Sequence, residues 1–277
     1  VLLAFLLVVA GAAPAEADFT QHIADQKKRF GDAAKDLWAV IEPPFVVWGD
    51  AGPRQVQNSA TNVVRWTVRH LEADFFPKPP DGIYDIYLFQ NAESYERHAF
   101  AMWHVHPDTP FGYATASQHA LVMNFGTGGG TLVHEMVHPY MAANFPNVPT
   151  WLNEGLASLY EQSDERDGKM VGLTNWRLAG LNEAIKAGRI GPFSQFVRFT
   201  DAQFRDDDEA AHYGQARYLM LFLQERGLLQ KFVKRALELQ AEDPTAGRAL
   251  QETLGADWKG LDARWRKWVA TLRFPEQ

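Results

Sequence analysis

His134-Glu135-Met136-Val137-His138 constrains this chain more than any other stretch of it. Four residues are about one helical turn, so two histidines at that spacing project from one face of a helix. Two neutral imidazole nitrogens presented together suit one zinc ion. Glu135 lies roughly 100° around the same helix from His134, so it can stand beside such an ion and act on its water without ligating it. The surroundings predict the helix this requires. Gly128-Gly129-Gly130 ends the preceding segment and Thr131 is a suitable N-cap. Leu132, Val133, Met136, Val137 and Met141 supply apolar packing. Pro139 removes a helical donor directly after the second histidine and predicts a kink beyond the motif. Taken alone, the pair also reads as two ordinary helical histidines with hydrogen-bonded rings.

A second segment, Pro149-Thr150-Trp151-Leu152-Asn153-Glu154-Gly155-Leu156-Ala157, changes that balance. A glutamate on a second helix completes a three-ligand set and leaves the fourth position to water. By itself Glu154 also reads as an acid favoured near a helix N-terminus by the macrodipole. HExxH followed by P-x-W-L-N-E-G-L-A resembles the gluzincin metallopeptidases, above all the bacterial peptidase MA-like group, with a more distant similarity to the aminopeptidase N-like enzymes. The resemblance covers residues 113–226. It implies a zincin-like α+β fold, peptide-bond hydrolysis and one Zn²⁺ per chain. It also implies His134, His138 and Glu154 as zinc ligands and Glu135 as general base.

The resemblance further implies an oxyanion-stabilising tyrosine on a later helix. Tyr213 matches that place best, with Tyr218 and His212 as alternatives and an ordinary packed tyrosine as the plainer reading. Residues 113–123, ahead of the motif helix, are the strand expected to pair with an extended peptide. Glu161 follows Glu154 on nearly the same helical face, and either orients a ligand histidine or faces solvent. There are departures too. Fifteen residues lie between His138 and Glu154, fewer than in the aminopeptidase N-like pattern. Where those enzymes carry G-x-M-E-N, this chain has Asn124-Phe125-Gly126-Thr127-Gly128, so aminopeptidase specificity is not implied.

The rest of the chain predicts α+β organisation with the metal site at the junction of two regions. Residues 18–125 read as an N-terminal α/β region with a small sheet. Its expected elements are a helix over Phe19–Val40, a strand at Phe45–Trp48, and a long helix from Pro53 to Phe76. A strand at Ile83–Phe89, a helix over 92–101 and a strand around Ala120–Met123 follow. Residues 126–277 read as mainly helical, near 131–144, 150–162, 175–187, 208–226, 228–240, 245–254 and 257–272. Arg205-Asp206-Asp207-Asp208-Glu209 reads as a solvated helix start. His104 and His106 would share a face if extended, yet no third ligand follows at a telling spacing, which favours a cleft-wall or surface role. His119 is a further histidine on the strand side of the motif.

Composition narrows the partners. The net charge is -7 with no basic run, which argues against nucleic acid and leaves a peptide or protein substrate. With no cysteine there is neither a thiol nucleophile nor a disulfide. Val1 to Ala15 is an apolar run that stops at Glu16, short of the roughly 20 residues that span a bilayer. Ala15-Glu16-Ala17 fits a small-x-small cleavage site, so residues 1–17 read as a signal peptide and the mature chain as secreted or periplasmic, with no stable membrane span. A buried first helix or an uncleaved anchor is the alternative. The function expected is that of a zinc-dependent metallopeptidase. A non-catalytic zinc scaffold holding a peptide or envelope partner is the second reading, although binding zinc alone does not require Glu135. A metal-free structural envelope protein is the third.

Overall fold

A computed structural model describes residues 16–115 and 118–274. The expected signal peptide falls mostly outside these residues. The described chain opens with α1 (Glu16–Phe30), then β1 (Trp38–Glu42) and β2 (Phe45–Gly49). A long helix follows as α2 (Pro53–Ser59), a π-helical turn (Ala60–Arg65) and α3 (Trp66–Asp74), and leads to β3 (Tyr84–Phe89) and α4 (Ala92–Trp103). Next come β4 (Gly112–Thr115), β5 (Ala120–Asn124), α5 (Gly130–Asn144) and α6 (Thr150–Leu159). The hairpin β6 (Ser163–Arg166) and β7 (Lys169–Gly172) precedes α7 (Arg177–Lys186), α8 (Phe193–Phe196), α9 (Asp201–Phe204) and α10 (Glu209–Gln224). The last three are α11 (Leu229–Leu239), α12 (Gly247–Leu254) and α13 (Trp258–Val269). The architecture is therefore α+β, with a small N-terminal sheet followed by a mainly helical part. Among the described residues no helix is long and apolar enough to cross a membrane.

The main sheet has the order β1-β2-β3-β5-β4. Its three inner strands are parallel, and β1 and β4 run antiparallel along the two edges. Parallel inner strands need cover on both faces, and β2 and β5 are buried along their whole length. Alternate side chains divide between the faces. Val46, Trp48, Tyr87, Phe89 and Val122 pack with Phe19 and Tyr95, from α1 and α4. Phe45, Val47, Ile86, Leu88, Leu121 and Met123 pack with Val56, Val64 and Leu71 and with Leu132 and Met136 of α5. That second face is what fixes α5, and with it the HExxH motif, beside the edge strand β4.

Two glycines let the helices around the motif approach. A Cβ on Gly130, at the start of α5, would lie 2.1 Å from the carbonyl oxygen of Glu161. A Cβ on Gly155 would lie 3.2 Å from the carbonyl oxygen of Ala216, where α6 crosses the central, almost wholly buried helix α10.

Several element boundaries differ from the sequence reading. The helix expected over Phe19–Val40 ends at Phe30, because Gly31 adopts φ +50 and the apolar run from Leu37 enters the sheet. The β6–β7 hairpin was not expected. Asp167 and Gly168 form its two-residue turn, both at positive φ as such hairpins require. Thr131 does not cap α5: the helix begins at Gly130 with Gly129 at the cap. Pro139 lies inside α5, which continues to Asn144.

Candidate metal centre

The helical repeat places His134 and His138 together on α5, with ring centroids 5.0 Å apart. The turn after α5 brings α6 back alongside, and Glu154 then faces both rings. Its Oε2 lies 3.3 Å from His134 Nε2 and 3.9 Å from His138 Nε2. Four donors set tetrahedrally around zinc at about 2.0–2.1 Å stand roughly 3.3 Å from one another. The two contacts to Glu154 Oε2 thus lie at, or slightly outside, the spacing such an ion needs. Glu135 is also near: one atom from each of His134, Glu135 and His138 falls within 4.8 Å of the others. Orientation separates the two acids. Glu135 is half-buried and lines open space, whereas Glu154 Oε2 is buried without a hydrogen-bond partner. Its contact with His134 is close enough for charge attraction but is not aligned as a hydrogen bond. A buried carboxylate oxygen left in that state is a group that a cation would satisfy.

The far nitrogen of each ring also faces a polar side chain. His138 Nδ1 meets Asn153 Oδ1 at 2.9 Å. An amide oxygen only accepts, so Nδ1 carries the proton of this hydrogen bond and Nε2 is the nitrogen turned toward Glu154. His134 Nδ1 faces Glu161 Oε1 at 3.2 Å. Glu161 is in turn gripped by Arg177, whose Nε and Nη2 donate to its two oxygens at 2.8 and 2.6 Å. Of the two places left open for Glu161, the structure thus gives the one beside a histidine.

The charges are strongly interdependent. Burial opposes a proton on His134, but the carboxylates of Glu154, Glu161 and Glu135 outweigh it and raise the pKa. Burial likewise opposes ionised Glu154, and His134, His138 and Arg205 overcome it; for Glu161 the opposing partners are Arg177 and His134. Both carboxylates are held well below their ordinary range. Carboxylates gathered around buried imidazoles favour positive charge at this centre, which a divalent metal can supply. Two imidazoles and one carboxylate form a donor set that suits zinc better than magnesium or calcium.

Two clefts meet at this point. One of about 1120 Å³ runs past Trp66, Phe111 and Trp176 and along the β6 side, and the other, of about 510 Å³, is lined by Ala114, His138, Asn153 and Arg205. His134, Glu135 and Tyr213 line both. Phe111, Gly112 and Ala114 place the edge strand β4 along both openings.

The remaining candidates separate clearly in position. The Tyr213 hydroxyl accepts from Arg205 Nη1 at 3.1 Å. Tyr218 is fully buried and its hydroxyl is bonded to the backbone of Asn175. His212 is buried, with Nδ1 on the carbonyl of Phe204. His104 caps α4 in a left-handed conformation, His106 stacks on Phe100, and His119 stacks on Tyr84; none lines either cleft. Sequence reasoning missed Asn153, Arg177 and Arg205. Asn153 adjoins Glu154 within the recognised segment and was within reach, whereas the two arginines carry no local signal.

No family model matches the chain, and no curated protein matches it. Among solved structures, native yeast LTA4 hydrolase matches over 87% of this chain and 40% of its own, with 13% identity and a TM-score of 0.41. The chain therefore spans well under half the length of that protein.

Proposed function

We propose that the protein is a secreted or periplasmic zinc-dependent hydrolase of peptide bonds, acting on a peptide or protein substrate. The observation that carries this reading is the convergence of His134 Nε2 and His138 Nε2 on the unpartnered Glu154 Oε2, with Glu135 alongside, where two clefts meet. These three residues would hold the ion in the gluzincin manner. Zinc in that place supplies a Lewis acid that polarises a carbonyl and acidifies water to a pKa of about 7.

The chain's own groups do the rest. The free edge of β4 pairs with an extended peptide and presents a backbone carbonyl to the site. Glu135 takes a proton from the attacking water as its oxygen bonds to the carbonyl carbon. It then gives that proton to the leaving nitrogen as the C–N bond breaks. Tyr213 donates a hydrogen bond to the oxyanion that develops between these steps. Asn153 and Glu161 keep the two imidazoles turned to the centre.

The metal assignment is tested by elemental analysis of the purified chain. About one zinc per chain is expected, as for a three-ligand catalytic centre. His134→Ala and His138→Ala should each abolish its retention through dialysis. Equal zinc in all three proteins would sink the assignment.

A further inference from the structure

Arg205 follows the short helix α9 and begins a run of charged residues that sequence reasoning leaves in solvent. Its side chain, still partly exposed, reaches back to the site. Nη2 donates to Glu154 Oε1 at 2.8 Å, and Nη1 donates to the Tyr213 hydroxyl at 3.1 Å. Nε donates to Asp201 Oδ1 at 3.1 Å, and Nη1 also reaches Glu209 Oε1 at 3.4 Å. Asp201 is tied to the first turn of α6, since Thr150 Oγ1 donates to its Oδ1 at 3.3 Å. At 42% exposure, a lone ion pair here would be screened and worth little. This guanidinium is held by four partners on three helices, α6, α9 and α10, and its planar fork can serve several acceptors at once. One oxygen of Glu154 is thereby occupied, and the other is the one turned toward both imidazoles.

We infer that Arg205 is a positioning residue that holds Glu154 to a single metal-facing oxygen. The inference rests on the metal reading above. Arg205 itself touches none of the metal-facing nitrogens and acts through Glu154. Two physical accounts of the contact predict opposite signs. If only charge matters, the guanidinium weakens the carboxylate as a ligand, and removing it tightens metal binding. If orientation matters, removing it lets the carboxylate turn and binding loosens. Partners that orient metal ligands commonly contribute about 10- to 100-fold in affinity.

The test uses the full chain as wild type, Arg205→Met and Arg205→Lys. Zinc affinity is measured by competition with a chromogenic chelator, and the coordination number is read from the visible absorption of the Co²⁺-loaded proteins. Thermal melts without metal establish that each variant is folded. Arg205→Met should bind zinc about 10- to 100-fold more weakly, with a weaker and shifted Co²⁺ band as a second carboxylate oxygen joins the metal. Arg205→Lys keeps the charge but not the fork, so it should recover only part of both. Zinc bound as tightly as in wild type, or tighter, by Arg205→Met with an unaltered Co²⁺ band overturns the inference. Full recovery in Arg205→Lys also overturns it, because a single flexible donor would then serve as well as the fixed guanidinium. Should Arg205→Met fail to fold, the same two readouts on Arg205→Lys decide alone. A wild type that takes up neither zinc nor cobalt removes the metal reading and this inference with it.

Discussion

At the scale of single residues, the proposal separates a proton carrier from a metal ligand although both are glutamates a short distance apart. Glu135→Gln keeps the shape of the side chain and removes its basicity. Zinc content and melting temperature should be unchanged, while peptide hydrolysis falls by about 10² to 10⁴-fold. Tyr213→Phe should cost about 10² to 10³-fold, the usual range for one oxyanion donor. Both are read as kcat/KM on a peptide first found in an unbiased library. A zinc-loaded Glu135→Gln protein that cleaves at the wild-type rate would show that this carboxylate is not the base. His134, Glu135 and His138 were legible as a motif at helical spacing, and Glu154 through the resemblance that the second segment carries. Arg205 was not, since nothing local distinguishes a charge that faces solvent from one that folds back on a residue fifty-one positions earlier. Tyr213 stands between these cases: three side chains of one helix were eligible, and only packing decides which of them reaches the clefts.

At the scale of elements, α1 illustrates how tertiary demands override a periodic pattern. Its apolar spacing continues beyond Phe30, but Gly31 turns the chain and the following residues are drawn into the sheet as β1. The β6–β7 hairpin was obscured for the opposite reason: its first strand, Ser163–Arg166, is polar and exposed, and only the Asp167-Gly168 turn betrays it. What fastens α1 is His22, whose Nε2 lies 2.9 and 3.0 Å from the two oxygens of Asp85, a buried carboxylate that also accepts from Trp48 Nε1 at 2.7 Å. The hydrogen bond to Asp85 outweighs burial and raises the His22 pKa above 6.5. A histidine raised on folding contributes stability that is complete below its unfolded pKa and is lost as the pH rises through its folded one. Wild type should therefore melt above His22→Gln by a margin that is largest below pH 6.5 and shrinks at higher pH. Thermal melts across that range check it, and a margin independent of pH would disconnect His22 from the effect.

At the scale of the whole molecule, the two clefts leave the candidate centre open on both sides, and β4 runs past it as an unpaired edge. A chain lying along that edge can continue in both directions. On the enzyme reading we therefore predict cleavage within a polypeptide. Acetylating the N-terminus and amidating the C-terminus of a cleaved peptide should change kcat/KM by less than about tenfold, or ~1.4 kcal/mol. Mass spectrometry should recover internal fragments, and release of terminal residues alone would contradict the open geometry. The exposed rings of Phe111 and Trp176, at 51% and 54%, mark where the larger cleft would receive a bulky apolar side chain. The architecture also has a consequence for assembly. All three candidate ligands belong to α5 and α6, neighbours joined by a short turn, whereas Arg205 and Tyr213 arrive from much later in the chain. The entropy of closing a loop grows only slowly with its length, about 0.6 kcal/mol per doubling, but the later residues must first exist. The ligand set is thus assembled by one short loop closure, and the residues that position and complement it by much longer ones.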